Sequence, residues 1–178
     1  MQSHLPQQRN VNIIGLYRAD FQNLGISSVS LLNGERWTLS DWYVSYPWLK
    51  PHRVYELHTE EQIIEAKEAG RYPYDHKKIN SNSKVISSHK KVYSDNALSC
   101  SIGIMIADAI EEGFKVINIY GVHMLGMQHE IYISGILEII DIARSKGIEV
   151  NCLYEKEWRE FPHLEPQKYY MDVINGKR

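Results

Sequence analysis

The sequence contains few cysteines and no long apolar run. Its two cysteines, Cys100 and Cys152, both fall inside apolar segments, so we expect free thiols in a reducing compartment rather than a disulfide framework. Residues 1–10 are polar and lack the apolar stretch of a signal peptide. No segment approaches the ~18 consecutive apolar residues that a membrane span needs. These absences predict a cytoplasmic protein without a membrane partner.

An excess of charge of one sign is also missing. The formal net charge is -2 over 178 residues, which gives no electrostatic footprint for general nucleic-acid binding. Apolar residues make up 43% of the chain and charged residues 24%, which is ordinary for a globular protein. The length suits one domain with a full hydrophobic core.

Several sequence motifs of known chemistry are absent as well. No Gly-x-Gly-x-x-Gly follows the first predicted strand, which disfavours NAD(P) binding of the usual Rossmann type. The lack of a Walker loop argues against an ordinary ATPase or GTPase, and the lack of Gly-x-Ser-x-Gly argues against an α/β-hydrolase. The histidines match no zinc signature such as His-Glu-x-x-His, so no metal ligand is assigned.

Apolar runs that end at glycines predict an α/β fold, a Rossmann-like and mostly parallel sheet with helices on both faces. The expected strands are residues 11–16, 36–39, 53–57, 84–87, 115–120 and 148–153. The expected helices are residues 59–70, 97–112 and 133–146, and residues 71–83 are interpreted as a surface loop. This organisation gives a flexible N-terminus (1–10), one domain (11–153) and an aromatic-rich tail (154–178) that packs on the domain or on a partner subunit.

Ligands of such sheets bind outside the carboxyl ends of the strands, so the segments after the strands form the candidate site. The residues that this rule selects for ligand or phosphate binding are Gly15, Ser40, Asp41, His58, Lys90, Lys91 and Gly121. Simpler explanations stay open, because a histidine can merely precede a helix cap and lysines are commonly solvated.

The segment from Ser94 to Ser101 opens the long predicted helix. Free backbone amides and the helix dipole favour an anion there, and Asn96, Ser99 and Ser101 add polar groups. Plain helix capping explains the same residues equally well, and both roles can share one helix start.

Two histidines and a carboxylate, His123, His129 and Glu130, follow the strong strand at 115–120. Histidine titrates near neutrality and can act as a general acid or base, so we expect these three residues to be catalytic. The alternative is a loop whose imidazoles hydrogen-bond locally.

The stretch from Tyr93 to Met124 resembles a signature shared by two related groups. One is the bacterial sialyltransferases of glycosyltransferase family 42, which use CMP-sialic acid; the other is the MptE-like 6-hydroxymethylpterin diphosphokinase group, which has phage-encoded relatives. The matching residues are Ser99, Ser101, Met105, Ala109, Gly113, Ile117, Ile119, Gly121 and His123. The resemblance implies a Rossmann-like fold, a nucleotide or nucleotide sugar in the crevice, and serines at the helix start that contact phosphate.

Three functions follow. The first is a transferase acting on a nucleotide-linked donor, with His123 or His129 as general base. The sequence does not identify a cofactor for it, and a divalent cation bound together with the nucleotide is one option. The second is a non-catalytic binder of a nucleotide or nucleotide-derived signal. The third is a protein-interaction module that uses the aromatic run 42–48 and the tail, a reading that also leaves a homo-oligomer open.

Overall fold

The computed structural model describes residues 9–17, 33–39, 48–56, 61, 64–65, 68, 80–81, 92–124 and 132–160. The strands in these ranges are β1 (Asn10–Ile14), β2 (Glu35–Leu39), β3 (Arg53–Glu56), β4 (Asn80–Ser81), β5 (Val116–Tyr120) and β6 (Glu149–Cys152). The helices with defined ends are α1 (Ser101–Glu111), α2 (Ile133–Ser145) and α3 (Glu155–Glu160).

All six strands form one parallel sheet in the order β4-β3-β2-β1-β5-β6. The chain adds β2, β3 and β4 on one side of β1, then crosses to add β5 and β6 on the other side. The direction therefore reverses between β1 and β5, and in such sheets a crevice opens at that point, outside the carboxyl ends of the strands. The predicted Rossmann-like α/β class is confirmed.

The main core lies between this sheet and the two long helices. Val11 and Ile13 of β1 and Ile117 and Ile119 of β5 are almost fully buried in it. Helix α1 contacts β1 and β3, α2 contacts β6, and the two helices contact each other, so both cover the same face. All residues of α1 from 102 to 110 are buried, as its continuous apolar character predicts. Of the helix predicted at 59–70, the structure describes helical backbone at 61, 64–65 and 68.

A row of three asparagines joins the strands that carry the candidate site. Asn12, Asn118 and Asn151 are in register on β1, β5 and β6. The Asn151 side-chain amide donates to Asn118 Oδ1 and the Asn118 amide donates to Asn12 Oδ1, both at 3.0 Å. Asn12 is 1% exposed and donates to the carbonyl of Asn33 at 2.7 Å. The free-energy cost of burying these side-chain amides is thus offset by hydrogen bonds, which also hold β1 against β5.

A polar network joins β3 to α1. The buried Tyr55 hydroxyl donates to Asp108 Oδ2 at 2.6 Å. Arg53 donates to the Tyr55 hydroxyl and to Glu112, and its guanidinium lies over the Trp37 ring at 4.1 Å. Because a buried phenol or carboxylate without a partner is costly, this network fixes how α1 lies on the sheet.

The long helix begins later than the predicted position 97. Residues 95–98 form turns, and α1 starts at Ser101 with Cys100 as its N-cap. The turn is closed by the Ser94 hydroxyl, which accepts the Ala97 N–H at 3.0 Å.

Two helical glycines allow the turn before α1 to pack closely on both long helices. A Cβ atom on Gly103 would lie 1.9 Å from the carbonyl oxygen of Ala97, and one on Gly135 would lie 2.0 Å from that of Asn96. The turn backbone is therefore packed directly against both α1 and α2. An uninterrupted helix from 97 could not follow this path.

The interpretation of 71–83 as a surface loop is wrong at Asn80 and Ser81, which form β4 and pair with Tyr55 and Glu56 of β3. A short polar strand at a sheet edge needs no apolar pattern, so periodicity does not reveal it. The strand predicted at 84–87 lies outside the described residues. Among the described helices, none combines the length and the apolar character needed to cross a membrane.

Candidate functional site

A cavity of about 520 Å³ opens at the carboxyl ends of β1 and β5, where the strand order reverses. Its walls come from the segment after β1, the start of α1 and the loop after β5. The lining residues are Gly15, Leu16, Tyr17, Leu39, Cys100, Ser101, Ile102, Gly121, Val122, His123, Met124 and Tyr132. None of these described lining residues is an aspartate, glutamate, lysine or arginine.

Two glycines let the backbones after β1 and β5 meet beneath the cavity. The Gly15 N–H donates to the Tyr120 carbonyl at 2.8 Å, and the Tyr17 N–H donates to the Gly121 carbonyl at 2.9 Å. A Cβ atom on Gly15 would lie 2.3 Å from the Gly121 oxygen, and Gly121 has a φ of +65°. Only glycine satisfies both conditions, and the bare backbone leaves room for a ligand to come close to the main chain.

The start of α1 forms a second wall. Cys100, Ser101 and Ile102 line the cavity, no side chain caps this helix and its first turn contains no acidic residue. The N–H groups of a first helical turn have no partner within the helix, and the helix dipole adds partial positive charge. This wall is suited to a phosphate or carboxylate.

The Cys100 thiol in this wall is not itself an anion. Burial raises the pKa of the thiol to about 11, against the opposing effect of the Gly103 and Ile102 N–H groups. The group is therefore a neutral thiol near pH 7, a weak hydrogen-bond acceptor and a poor nucleophile.

Three aromatic rings, Tyr17, His123 and Tyr154, form what we call the aromatic wall. The Tyr17 and His123 rings are stacked, with centroids 4.6 Å apart and planes 21° apart. Tyr154 meets the His123 ring edge-on at 4.7 Å. Behind this wall Trp158 is fully buried, and its indole N–H donates to the His123 carbonyl at 2.9 Å.

The cavity brings together four residues predicted from the sequence, Gly15, Ser101, Gly121 and His123. Their roles in binding or catalysis stay predictions. The other predicted residues Ser40, Asp41, His58, Lys90, Lys91, His129 and Glu130 lie outside the described residues.

Asn96 and Ser99 do not line the cavity. The Asn96 amide donates to Ser134 Oγ at 3.3 Å and to Glu138 Oε2 at 3.4 Å, so it ties the turn before α1 to α2. Ser99 is exposed on the outer side of the same turn. Plain helix capping, the alternative for this segment, does not account for Asn96 either, because the N-cap of α1 is Cys100 and no side chain makes a cap hydrogen bond there.

Several lining residues were not among the predicted site residues. Tyr17 lies in the segment that the strand-end rule selects. Its position two residues after Gly15 could have identified it as a site residue. Cys100 and Ile102 sit at the predicted anion site but are apolar or weakly polar. Tyr154 and Trp158 do not line the cavity but contact His123 from the tail, and only the folded chain brings them there.

The described residues contain no group of three or more histidine, cysteine, aspartate and glutamate side chains that would hold a metal ion. Their polar groups at the cavity are backbone amides, hydroxyls, one thiol and one imidazole.

The fold and cavity define a doubly wound α/β domain with a ligand-sized crevice at its switch point. No protein-family model and no curated protein matches the chain. Among solved structures, the chain is similar to a probable thiamine pyrophosphokinase from Staphylococcus saprophyticus subsp. saprophyticus, at 13% identity and a TM-score of 0.41. The match covers 82% of this chain and 65% of that one, and a likeness of this degree does not bear on function.

Proposed function

We propose that the cavity binds a nucleotide or nucleotide-derived phosphate ester. The observation that carries this proposal is that an uncapped helix start, a glycine pair and an aromatic wall surround one cavity at the switch point. Its volume of about 520 Å³ lies within the range of small-molecule sites.

The phosphate would lie at the start of α1. The Ser101 hydroxyl and the first-turn N–H groups offer donors, although those of Ile102 and Gly103 also face the Cys100 sulfur, and the dipole of an 11-residue helix favours negative charge there. Since no described lining residue carries a carboxylate, nothing in this part of the wall repels an anion.

The flat ring would stack on the aromatic wall. Tyr17 is 41% exposed, so one ring face is accessible although the other is stacked on His123. Base stacking on an aromatic side chain contributes about 1–3 kcal/mol and tolerates different bases. This wall therefore supports a nucleotide or a pterin without selecting between them.

A transferase is the fuller form of the proposal, and His123 is the described residue that favours it. Its imidazole lies in the cavity wall and can accept a proton from an acceptor hydroxyl. His129 and Glu130 remain candidates for the same role from the sequence. Loss of turnover with retained ligand binding in His123→Gln supports catalysis; unchanged turnover contradicts a role for this imidazole.

The binding proposal is tested with matched ligands that differ in one group. Cytidine, CMP, CDP and CMP-sialic acid, together with the adenine series and 6-hydroxymethylpterin, are compared by the concentration dependence of the melting temperature. We expect the phosphorylated member of a pair to raise Tm more than its nucleoside. Equal effects of nucleoside and nucleotide contradict a phosphate site, and no shift across the panel contradicts the proposed function.

A further inference from the structure

The loop after β5 contains a residue with an uncommon backbone conformation. Met124 has a φ of 54°, and it is the non-glycine residue with positive φ in the part of the chain that the structure describes. This region is disfavoured for residues with a side chain, and such strain persists only where the surroundings hold it.

Trp158 holds the peptide that precedes Met124. Its indole N–H donates to the carbonyl oxygen of His123, and that carbonyl belongs to the peptide joining His123 and Met124. A half-turn of this peptide would reverse its carbonyl and N–H and change the φ of Met124. The same half-turn would break the hydrogen bond to the indole.

Trp158 is itself firmly placed. Its side chain is 0% exposed. Its helix, α3, is fastened to α2 by the ion pairs Arg144–Glu155 and Arg159–Asp141. The indole is therefore a fixed support for the loop rather than a surface contact.

The orientation of this peptide decides which backbone group the loop offers to the cavity. All described peptide bonds are trans, so the Met124 N–H points opposite to the His123 carbonyl and away from Trp158. His123 and Met124 both line the cavity. Among the described residues, no backbone carbonyl accepts the Met124 N–H.

We propose that Trp158 is a positioning residue that presents the Met124 N–H as a donor to the anionic group of the ligand. This inference rests on the proposed function, since it assigns a second donor to the same site. The loop after β5 then complements the start of α1, and the positive φ of Met124 is what this donor position requires.

The first test needs no ligand and compares two tryptophan variants. Trp158→Phe removes the indole N–H, whereas Trp37→Phe truncates another fully buried tryptophan whose indole donates to Glu35, away from the cavity. Backbone chemical shifts and three-bond couplings of 15N,13C-labelled protein report φ at residue 124. We expect this φ to become negative in Trp158→Phe and to stay positive in Trp37→Phe; a positive φ in both overturns the inference.

The second test keeps Trp158 and changes residue 124. Asparagine tolerates a positive φ and valine does not, so the pair separates backbone conformation from loss of the Met side chain. With inorganic pyrophosphate as the probe, we expect Met124→Val to bind about tenfold more weakly than Met124→Asn, as for one lost hydrogen bond to an anion. Equal affinities of the two variants overturn the inference.

The two proposals fail in different ways. If the natural chain binds nucleotides but the φ of residue 124 does not change in Trp158→Phe, the positioning role alone is contradicted. A natural chain that binds neither nucleotides nor pyrophosphate contradicts the proposed function.

Discussion

The cavity depends on a few residues with distinct physical roles. Gly15 and Gly121 permit backbone contact where any side chain would collide. Tyr17 and His123 supply flat surfaces, and Ser101 supplies a hydroxyl at the helix start. These residues offer hydrogen bonding and stacking, which suits recognition of a phosphate and a ring.

Cys100 gives a residue-scale prediction, because it lines the cavity and Cys152 does not. In a Cys152→Ser variant, alkylation of Cys100 by iodoacetamide is followed by mass spectrometry against pH. Since burial raises the thiol pKa to about 11, we expect a slow rate at pH 7.5 that continues to rise above pH 9. A nucleotide that fills the cavity should slow it further.

The Cys100→Ser variant, which leaves Cys152 as the reporter, is the control and should show no protection by nucleotide. A Cys100 rate that levels off near pH 8.5, or one that a bound nucleotide leaves unchanged, contradicts the placement of this thiol.

At the scale of elements, sequence reasoning succeeded where burial is continuous. The run that became α1 is apolar on nearly every side because the helix is buried from 102 to 110, and the runs that became β5, α2 and β6 place buried apolar residues at regular spacing. Parallel pairing of the strands followed from the alternation of strands and helices, whereas the strand order did not. The strand-end rule selected Gly15, Gly121 and His123, all of which line the cavity.

Sequence reasoning failed where tertiary contacts decide. The helix α1 begins at Ser101 after a turn whose Ala97 backbone packs on Gly103, a contact that no local pattern shows. The strand at Asn80 is polar because it lies at an edge. Tyr154 and Trp158 reach His123 from more than thirty positions away, so spacing along the chain could not link them.

An element-scale prediction follows from the two helical glycines. Alanine in a helix interior is usually about 1 kcal/mol better than glycine. In Gly103→Ala and Gly135→Ala, however, the new Cβ atom would lie about 2 Å from a carbonyl oxygen of the turn before α1. We therefore expect each variant to lower the free energy of unfolding by about 1–3 kcal/mol, measured by urea denaturation.

Ser145→Ala, on an exposed position of the last turn of α2, is the control and should change stability by less than about 0.5 kcal/mol. A gain in stability for either glycine variant would show that the turn does not pack as described.

At the scale of the whole molecule, the protonated forms of two tyrosine hydroxyls and one thiol together stabilise the folded chain. Burial, then the neighbouring Asp108, raises the pKa of Tyr55 well above its usual 10.0. Burial and the hydrogen bond to Glu111 raise that of Tyr93 in the same direction, and burial raises that of Cys100 to about 11 from 9.0. Each group therefore binds its proton more tightly in the folded chain than in the unfolded chain.

The sign of the pH dependence follows from this difference. The stabilisation is fully present below the unfolded pKa values and is lost as pH rises above about 9 to 10 towards the folded values. We expect the free energy of unfolding to fall with increasing pH above 10, with a shallower fall in Tyr55→Phe. Urea denaturation at a series of pH values measures both slopes, and equal slopes would contradict the raised pKa of Tyr55.

The central claim is a phosphate site at the start of α1, and calorimetric titration with the best nucleotide of the panel tests it most directly. Ser101→Asp places a carboxylate in the cavity at the helix start, and Ser99→Asp adds the same charge on the exposed turn outside it. An acidic residue in a first helical turn stabilises the helix by about 0.3–1 kcal/mol, so loss of folding is not expected. We expect at least about tenfold weaker binding for Ser101→Asp and near-natural binding for Ser99→Asp; equal affinities for the two variants would show that no phosphate lies at the start of α1.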